Sequence, residues 1–149
     1  MNIFVLDNDP AKAAAYHCDR HVPKMILESA QMLSTVLNGP YRPTHAKHPC
    51  TLWAGRSRDN AVWLWQLAMY LHEEWQTRWG HTRDHKCRSV LDSLISSDEL
   101  ASLPSYGLTP FALAMPDEYK TDCAIDSYRA YYHSKTFASW DRSTTPDWW

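Results

Sequence analysis

The chain has 149 residues, of which 44% are hydrophobic and 21% charged, so we expect one folded domain over residues 1–149 and exclude an intrinsically disordered chain. Its net charge of −2 gives no overall attraction to nucleic acid, although the first 60 residues hold seven Lys/Arg against five Asp/Glu. The first residues lack a cationic signal-peptide start, no apolar run is long enough for a membrane span, and the four cysteines form no CxxC pair. We therefore expect a cytoplasmic protein with reduced thiols and no membrane association.

Start and stop signals predict three helices in the first half of the chain. Residues 3–6 are too few to decide between a strand and an extended arm. Asp9-Pro10 begins a first helix that reaches Tyr16, and a second helix ends at Asn38-Gly39-Pro40, before a loop over 41–50. Ser57 or Asp59 caps a long third helix that Gly80 ends.

Two further helices are predicted in the second half. A shorter helix covers 82–94, and a loop-rich connection over 96–115 precedes a last helix that begins at Thr121 or Asp122. No segment beyond the first residues alternates polar and apolar side chains over the length of a strand. The sequence therefore predicts a mainly α, compact, single-domain protein of about five helices.

The second helix carries a chemically dense polar face. Arg20, Lys24, Glu28, Gln31 and Thr35 recur at the spacing of one helical face, opposite an apolar stripe. Two cations, a carboxylate and an amide in a row could hold an anionic substrate and move protons. The alternative is a solvated face with an ordinary i,i+4 ion pair between Lys24 and Glu28.

Four histidines near this face suggest a metal site as one alternative. They are His17, His21, His45 and His48. A tetrahedral zinc site needs three or four converging ligands, and this spacing fits no established zinc motif. We predict no metal and no other cofactor, and we keep a metal-dependent or nucleotide-directed enzyme that uses these histidines as an alternative.

Schiff-base chemistry fits the residue types better. A glycosylase that also cleaves abasic sites needs an unprotonated amine to attack C1′ of the sugar, and a nearby group to manage protons. Lys24 with His21, Glu28 and Arg20 offers these groups within two helical turns. An ordinary surface lysine is an equally good interpretation of Lys24.

Several short motifs resemble the phage-type pyrimidine-dimer DNA glycosylases with abasic-site lyase activity (the endonuclease V type) and their bacterial relatives. Arg20-His21-Val22-Pro23-Lys24 is similar to that family's Arg-Glu-aliphatic-Pro-Arg turn. Lys24-x3-Glu28-x2-Gln31-x-Leu33 resembles the Lys-x3-Glu-x2-Gln-x-Leu pattern of the bacterial branch. The segment from His48-Pro49 to Trp53 is similar to that branch's Asn-His-Pro segment, and residues 128–132 resemble an aromatic-basic run that approaches DNA.

The resemblance implies a DNA repair or modification enzyme that acts on a damaged or modified base in duplex DNA. In the family, the nucleophile is the α-amine of a small residue exposed by removal of Met, and the acid/base is a Glu at the position of His21. This chain begins Met1-Asn2, so either Met1 supplies the amine, or a lysine such as Lys24 has taken over, or the glycosylase chemistry is absent. The acid/base would be Glu28 or His21.

The candidate residues fall into two groups. The catalytic candidates are Met1, Asn2, His21, Lys24 and Glu28. The candidates for DNA binding are Arg20, Arg42, His45, His48, Tyr128, Arg129, Tyr131 and Tyr132. Tyr128, Tyr131, Tyr132 and Lys135 share one face of the last helix, which could receive an extruded nucleotide with its base and phosphate, although for any single tyrosine a place in the core is the better interpretation. A non-catalytic module whose aromatic surfaces bind nucleic acid or protein is the remaining alternative.

Overall fold

Seven α-helices and no β-strand form the fold in the computed structural model, which describes residues 1–149. The helices are α1 (Pro10–Tyr16), α2 (His21–Val36), α3 (Pro49–Ala54), α4 (Arg58–Trp79), α5 (Arg88–Ile95), α6 (Asp98–Ala101) and α7 (Ala124–His133). A 3-10 turn, Asp117–Tyr119, precedes α7. The longest helix, α4, packs against each of α1, α2, α3, α5 and α6. The predicted mainly α class is confirmed.

The boundary signals explain where the longer helices begin and end. The Asp9 carboxylate accepts a hydrogen bond from the backbone N–H of Ala11, and the Ser57 hydroxyl accepts one from Asn60 at the start of α4. Gly80 ends α4 in the left-handed conformation at φ 64°, and Asn38 takes φ 53° after α2. These four positions lie where the sequence predicts them.

The helix count differs from the prediction because α3 and α6 have only six and four residues. One or two turns carry too little apolar periodicity to be distinguished from a loop. The helix predicted over 82–94 begins at Arg88 instead. The loop before α5 is not helical. A hydrogen bond from the backbone N–H of His85 to Nε2 of His72, 3.1 Å long, fixes it to α4 instead.

The first six residues form a buried arm that pairs with no strand. Ile3, Val5 and Leu6 are fully buried in the common core of the helices. The arm is fixed from the far end of the chain, since Nε of Arg129 in α7 donates to the carbonyl of Leu6 at 2.9 Å. It therefore brings the start of the chain against the last helix.

A buried guanidinium joins the end of α4 to the turn between α1 and α2. Arg78 donates to the carbonyls of His17 at 2.8 Å and Ala15 at 3.0 Å. It also contacts the carboxylates of Asp19 at 3.1 Å and Glu74 at 2.8 Å. This turn leads directly into α2, so Arg78 positions the beginning of the polar face.

We expect Arg78→Leu to lower the free energy of unfolding by about 3 to 5 kcal/mol, because it leaves buried carbonyls and a carboxylate without their partner. Urea unfolding monitored by circular dichroism measures the loss. Arg56→Leu is the matched control, since its exposed side chain should change stability by less than about 0.5 kcal/mol. Equal stabilities of the two variants would contradict the role given to Arg78.

Candidate functional site: an amine and a carboxylate in a cationic, aromatic cleft

The catalytic candidates predicted from the sequence all border one cleft of about 260 Å³. Three separate segments build it. The N-terminal arm contributes Met1, Asn2 and Phe4, and α2 contributes His21, Lys24 and Glu28. The third wall, from the end of α7 and the residues after it, contributes Tyr131, Lys135 and Phe137.

The Asn2 side chain fixes the path of the arm into this cleft. Its Nδ2 donates to the carbonyl of Ala114 at 2.8 Å, and its Oδ1 accepts from the backbone N–H groups of Ile3 at 2.8 Å and Phe4 at 3.0 Å. Phe4 then takes the left-handed conformation at φ 32°, which bends the chain. The bend places the Met1 α-nitrogen beside α2.

Glu28 is the carboxylate of the cleft. Its Oε1 lies 3.4 Å from the α-nitrogen of Met1, and its Oε2 lies 3.9 Å from Nζ of Lys24. The Glu28 side chain is 13% exposed, whereas that of Lys24 is 65% exposed. The i,i+4 pair predicted from the sequence exists, but the shorter contact of Glu28 is with the chain terminus.

His21 forms a neutral wall of the cleft. Burial, followed by the charges of His17, Lys135, Lys24 and Arg20, lowers its pKa from 6.5 to about 3. Its ring stacks on Phe4 with centroids 4.6 Å apart. At neutral pH this imidazole therefore carries no charge.

Tyr132 holds the imidazole of His21 in place. The Tyr132 hydroxyl accepts a hydrogen bond from the backbone N–H of Cys18 at 2.9 Å, and Nδ1 of His21 lies 2.8 Å from the same oxygen. This contact fixes the orientation of the ring against α7.

The four histidines do not assemble a metal site. The ring centroids of His17 and His21 are 6.4 Å apart, and nowhere in the chain do three His, Cys, Asp or Glu side chains converge as metal ligands. His45 is exposed, and His48 caps α3 by accepting from the backbone N–H of Cys50 at 3.1 Å. The geometry gives no support to the alternative that uses these histidines as metal ligands.

His48 lies within the electrostatic reach of the cleft although it does not border it. Burial first, and then the positive charge of the N-terminal ammonium, lower the pKa of His48, while the Glu28 carboxylate acts in the opposite direction. His48 is thus close enough to respond to charge changes at the amine.

The tyrosines of α7 divide between the cleft and the core. Tyr131 borders the cleft, but Tyr128 and Tyr132 are fully buried. The Tyr128 hydroxyl donates to the carbonyl of Ala112 at 2.5 Å. The expectation that Tyr128 and Tyr132 contact an extruded nucleotide is therefore corrected, because both rings are enclosed by protein.

The cationic DNA-binding candidates have different surroundings. Arg20 is exposed, with its guanidinium 4.9 Å from the ring centroid of Phe137. Arg129 is half-buried and holds the arm. Arg42 is exposed and borders a separate, larger cavity of about 490 Å³, which also contains Gln31 from the polar face of α2 and Lys86.

Sequence reasoning missed Phe137 and Phe4 as site residues. It placed Lys135 on one helical face with Tyr131, and Nζ of Lys135 lies 4.1 Å from the centroid of that ring. No local pattern places Phe4 or Phe137, since both reach the cleft through the packing of distant segments.

No known protein family, no curated protein and no solved structure matches the chain. None of its helices combines the length and the apolar composition that crossing a bilayer requires.

A second buried imidazole gives the stability of the protein a pH dependence. Nδ1 of His17 is 2.6 Å from the carbonyl of Ala13 and must donate to it, while Nε2 is buried without a partner. Burial lowers the pKa of His17 from 6.5 to about 4, with a smaller lowering by the charge of Arg78. The unfolded chain therefore binds a proton more readily than the folded one between these two values.

We expect the stabilisation from neutral His17 to be complete above about pH 6.5 and to be lost as pH falls toward about 4. Over this interval the wild-type unfolding free energy should drop by roughly 3 kcal/mol more than that of His17→Asn, whose Nδ2–H can replace the donor but does not titrate. Urea unfolding at a series of pH values tests this. Parallel pH profiles of the two proteins would show that His17 does not contribute.

Proposed function

We propose that this protein is an enzyme of the DNA glycosylase/abasic-site lyase type, which acts on a damaged or modified base through a Schiff base formed in the cleft. The observation that carries the proposal is the 3.4 Å contact between the Met1 α-nitrogen and Glu28 Oε1. A nucleophilic amine next to a group that can take and return protons is what imine formation at a sugar carbon requires.

The α-amine is the better of the two candidate nucleophiles. The Met1 side chain is 5% exposed, whereas the Lys24 side chain is 65% exposed, so the α-nitrogen is held within the cleft more firmly than Nζ of Lys24. The α-nitrogen is also closer to Glu28 than Nζ of Lys24 is, at 3.4 Å against 3.9 Å. If Met1 is removed, the α-amine of Asn2 takes this role.

Glu28 relays protons between the amine and the sugar. The amine lone pair bonds to C1′ as the bond from C1′ to the base breaks. The departing base keeps the electron pair of the broken bond and takes a proton from solvent. Glu28 takes a proton from the amine and returns it to the ring oxygen as the ring opens to the imine. In the lyase step the free carboxylate removes a proton from C2′, and the 3′ phosphate leaves with the electron pair of its bond to C3′.

His21 serves this reaction as a neutral, aromatic wall of the cleft. With a pKa of about 3 it neither accepts a proton at neutral pH nor adds a positive charge. Glu28 is therefore the acid/base of the proposal, in place of a carboxylate at position 21.

The surface around the cleft suits a nucleic acid. Arg20, Lys24 and Lys135 border or flank the opening and can contact phosphates, and Tyr131 offers a ring on which a base can stack. Arg42 and His45 lie on the exposed loop after α2, where Arg42 borders the separate cavity that also contains Gln31. Local charge of this kind attracts DNA in spite of the net charge of −2.

Borohydride trapping on abasic-site duplex DNA and on ultraviolet-irradiated duplex tests the proposal. We expect a covalent adduct with wild-type protein and at least about 100-fold slower formation with Glu28→Gln, because that variant loses the proton relay. The matched control is Glu99→Gln, at an exposed carboxylate outside the cleft, which should trap at the wild-type rate.

A fully active Glu28→Gln protein would remove Glu28 from the mechanism. Salt-dependent DNA binding with no adduct from either substrate would overturn the enzymatic proposal and favour the non-catalytic binding module.

The identity of the nucleophile is a separate prediction. We expect peptide mapping of the trapped wild-type protein to place the adduct on the N-terminal peptide, because the α-nitrogen is the amine nearest Glu28. An N-terminal extension should then abolish trapping, whereas Lys24→Ala should keep it. An adduct on the peptide that contains Lys24, together with its loss in Lys24→Ala, would reverse this assignment.

A further inference from the structure

Two cations without a carboxylate partner flank one aromatic ring at the mouth of the cleft. The Arg20 guanidinium lies 4.9 Å from the ring centroid of Phe137, and Nζ of Lys135 lies 5.9 Å from the same centroid. Neither cation belongs to any of the protein's eight ion pairs. Phe137 itself is 40% exposed, so the ring separates the two charges at an accessible surface.

Aromatic rings hold Lys135 over the cleft. Its Nζ lies 4.1 Å from the ring centroid of Tyr131 and 5.2 Å from that of Phe4, and all three residues border the cleft. Contacts with ring faces position an ammonium group without neutralising it. Lys135 is therefore an oriented cation with free hydrogen-bond donors.

The cleft has an excess of positive charge. The N-terminal amine, Lys24 and Lys135 border it and Arg20 lies at its mouth, so four cationic groups face the single carboxylate of Glu28. Lys135, Lys24 and Arg20 all act electrostatically on the imidazole of His21, which shows that their charges converge on this wall. An anion in the cleft would have charge-assisted hydrogen bonds available from more than one side.

We propose that Arg20 and Lys135 form a binding site for a phosphate monoester, and that the cleft accepts free, small phosphorylated aldehydes as Schiff-base partners in the absence of DNA. The inference rests on the Schiff-base chemistry proposed above. It adds a substrate class, because the amine and Lys135 border one space of about 260 Å³ and Arg20 lies against Phe137 of its wall, so a small molecule can reach both the amine and the cations.

The covalent step is an ordinary condensation. The lone pair of the α-amine forms a bond to the aldehyde carbon, and one nitrogen proton passes through Glu28 to the carbonyl oxygen to give a carbinolamine. The second nitrogen proton passes through Glu28 to the hydroxyl group, which leaves as water while the nitrogen lone pair completes the C=N bond of the imine. Borohydride supplies the hydride that reduces the imine to a stable secondary amine.

The experiment compares glyceraldehyde 3-phosphate with glyceraldehyde at equal concentration, in the presence of borohydride. Labelling of the N-terminal peptide is measured by peptide mass mapping. We expect at least about tenfold more labelling by the phosphorylated aldehyde, the effect of about one charge-assisted hydrogen bond, and we expect inorganic phosphate to compete with it.

Variants identify the phosphate site. Lys135→Met and Arg20→Met keep much of the apolar stem but lose the charge, so each should reduce the preference for the phosphorylated aldehyde severalfold, while Lys135→Arg should retain most of it. The control Lys12→Met, at an exposed position on α1, should behave as the wild type. Circular dichroism of each variant verifies the fold.

Equal labelling by the two aldehydes would overturn the inference, as would a phosphate preference that survives in both Met variants. Trapping on abasic DNA is run in parallel. If DNA is trapped but neither small aldehyde is, the phosphate-aldehyde inference fails and the proposed function stands. If neither the DNA nor the small aldehydes are trapped, the phosphate-aldehyde inference and the proposed function both fail.

Discussion

The buried guanidinium of Arg78 is the interaction on which the arrangement of α1, α2 and α4 depends. A turn between two helices that pack on a third leaves main-chain carbonyls facing the interior, where unpaired polar groups are costly. Arg78 satisfies two of them and is itself balanced by Asp19 and Glu74. The hydrogen bonds of Arg78 thus fix the turn between α1 and α2. As a result, α2 begins with its polar face directed at the arm and α7.

The candidate site shows how a protein with a small negative net charge can present a strongly cationic cleft. The carboxylates of the chain are distributed elsewhere, and Glu28 is the only one that borders the cleft. Because His21 is neutral, it does not add to the repulsion among Arg20, Lys24 and Lys135. Within such a partly enclosed space, charges interact more strongly than they do across open solvent.

Local signals predicted much of the fold and part of the site. Caps and breakers placed the ends of α4, and the helical spacing of Lys24 and Glu28 identified the polar face. Periodicity alone could not tell which stripe of the ten-residue α7 faces the core, so the sequence left open whether Tyr128 packs in the core or contacts a base, and the structure buries it. Phe137 reaches the cleft only through tertiary packing, which no pattern in the neighbouring sequence indicates.

The order in which the chain is synthesised conflicts with the order in which the site can form. The arm emerges first, but its anchors come from the end of the chain: Asn2 bonds to Ala114, and Leu6 accepts from Arg129, 123 residues away. Contacts of such sequence separation close late in folding. Ile3 to Leu6 therefore cannot reach these anchors on a ribosome-bound chain until α7 has been made, which leaves an aggregation-prone apolar segment at the start of the growing chain.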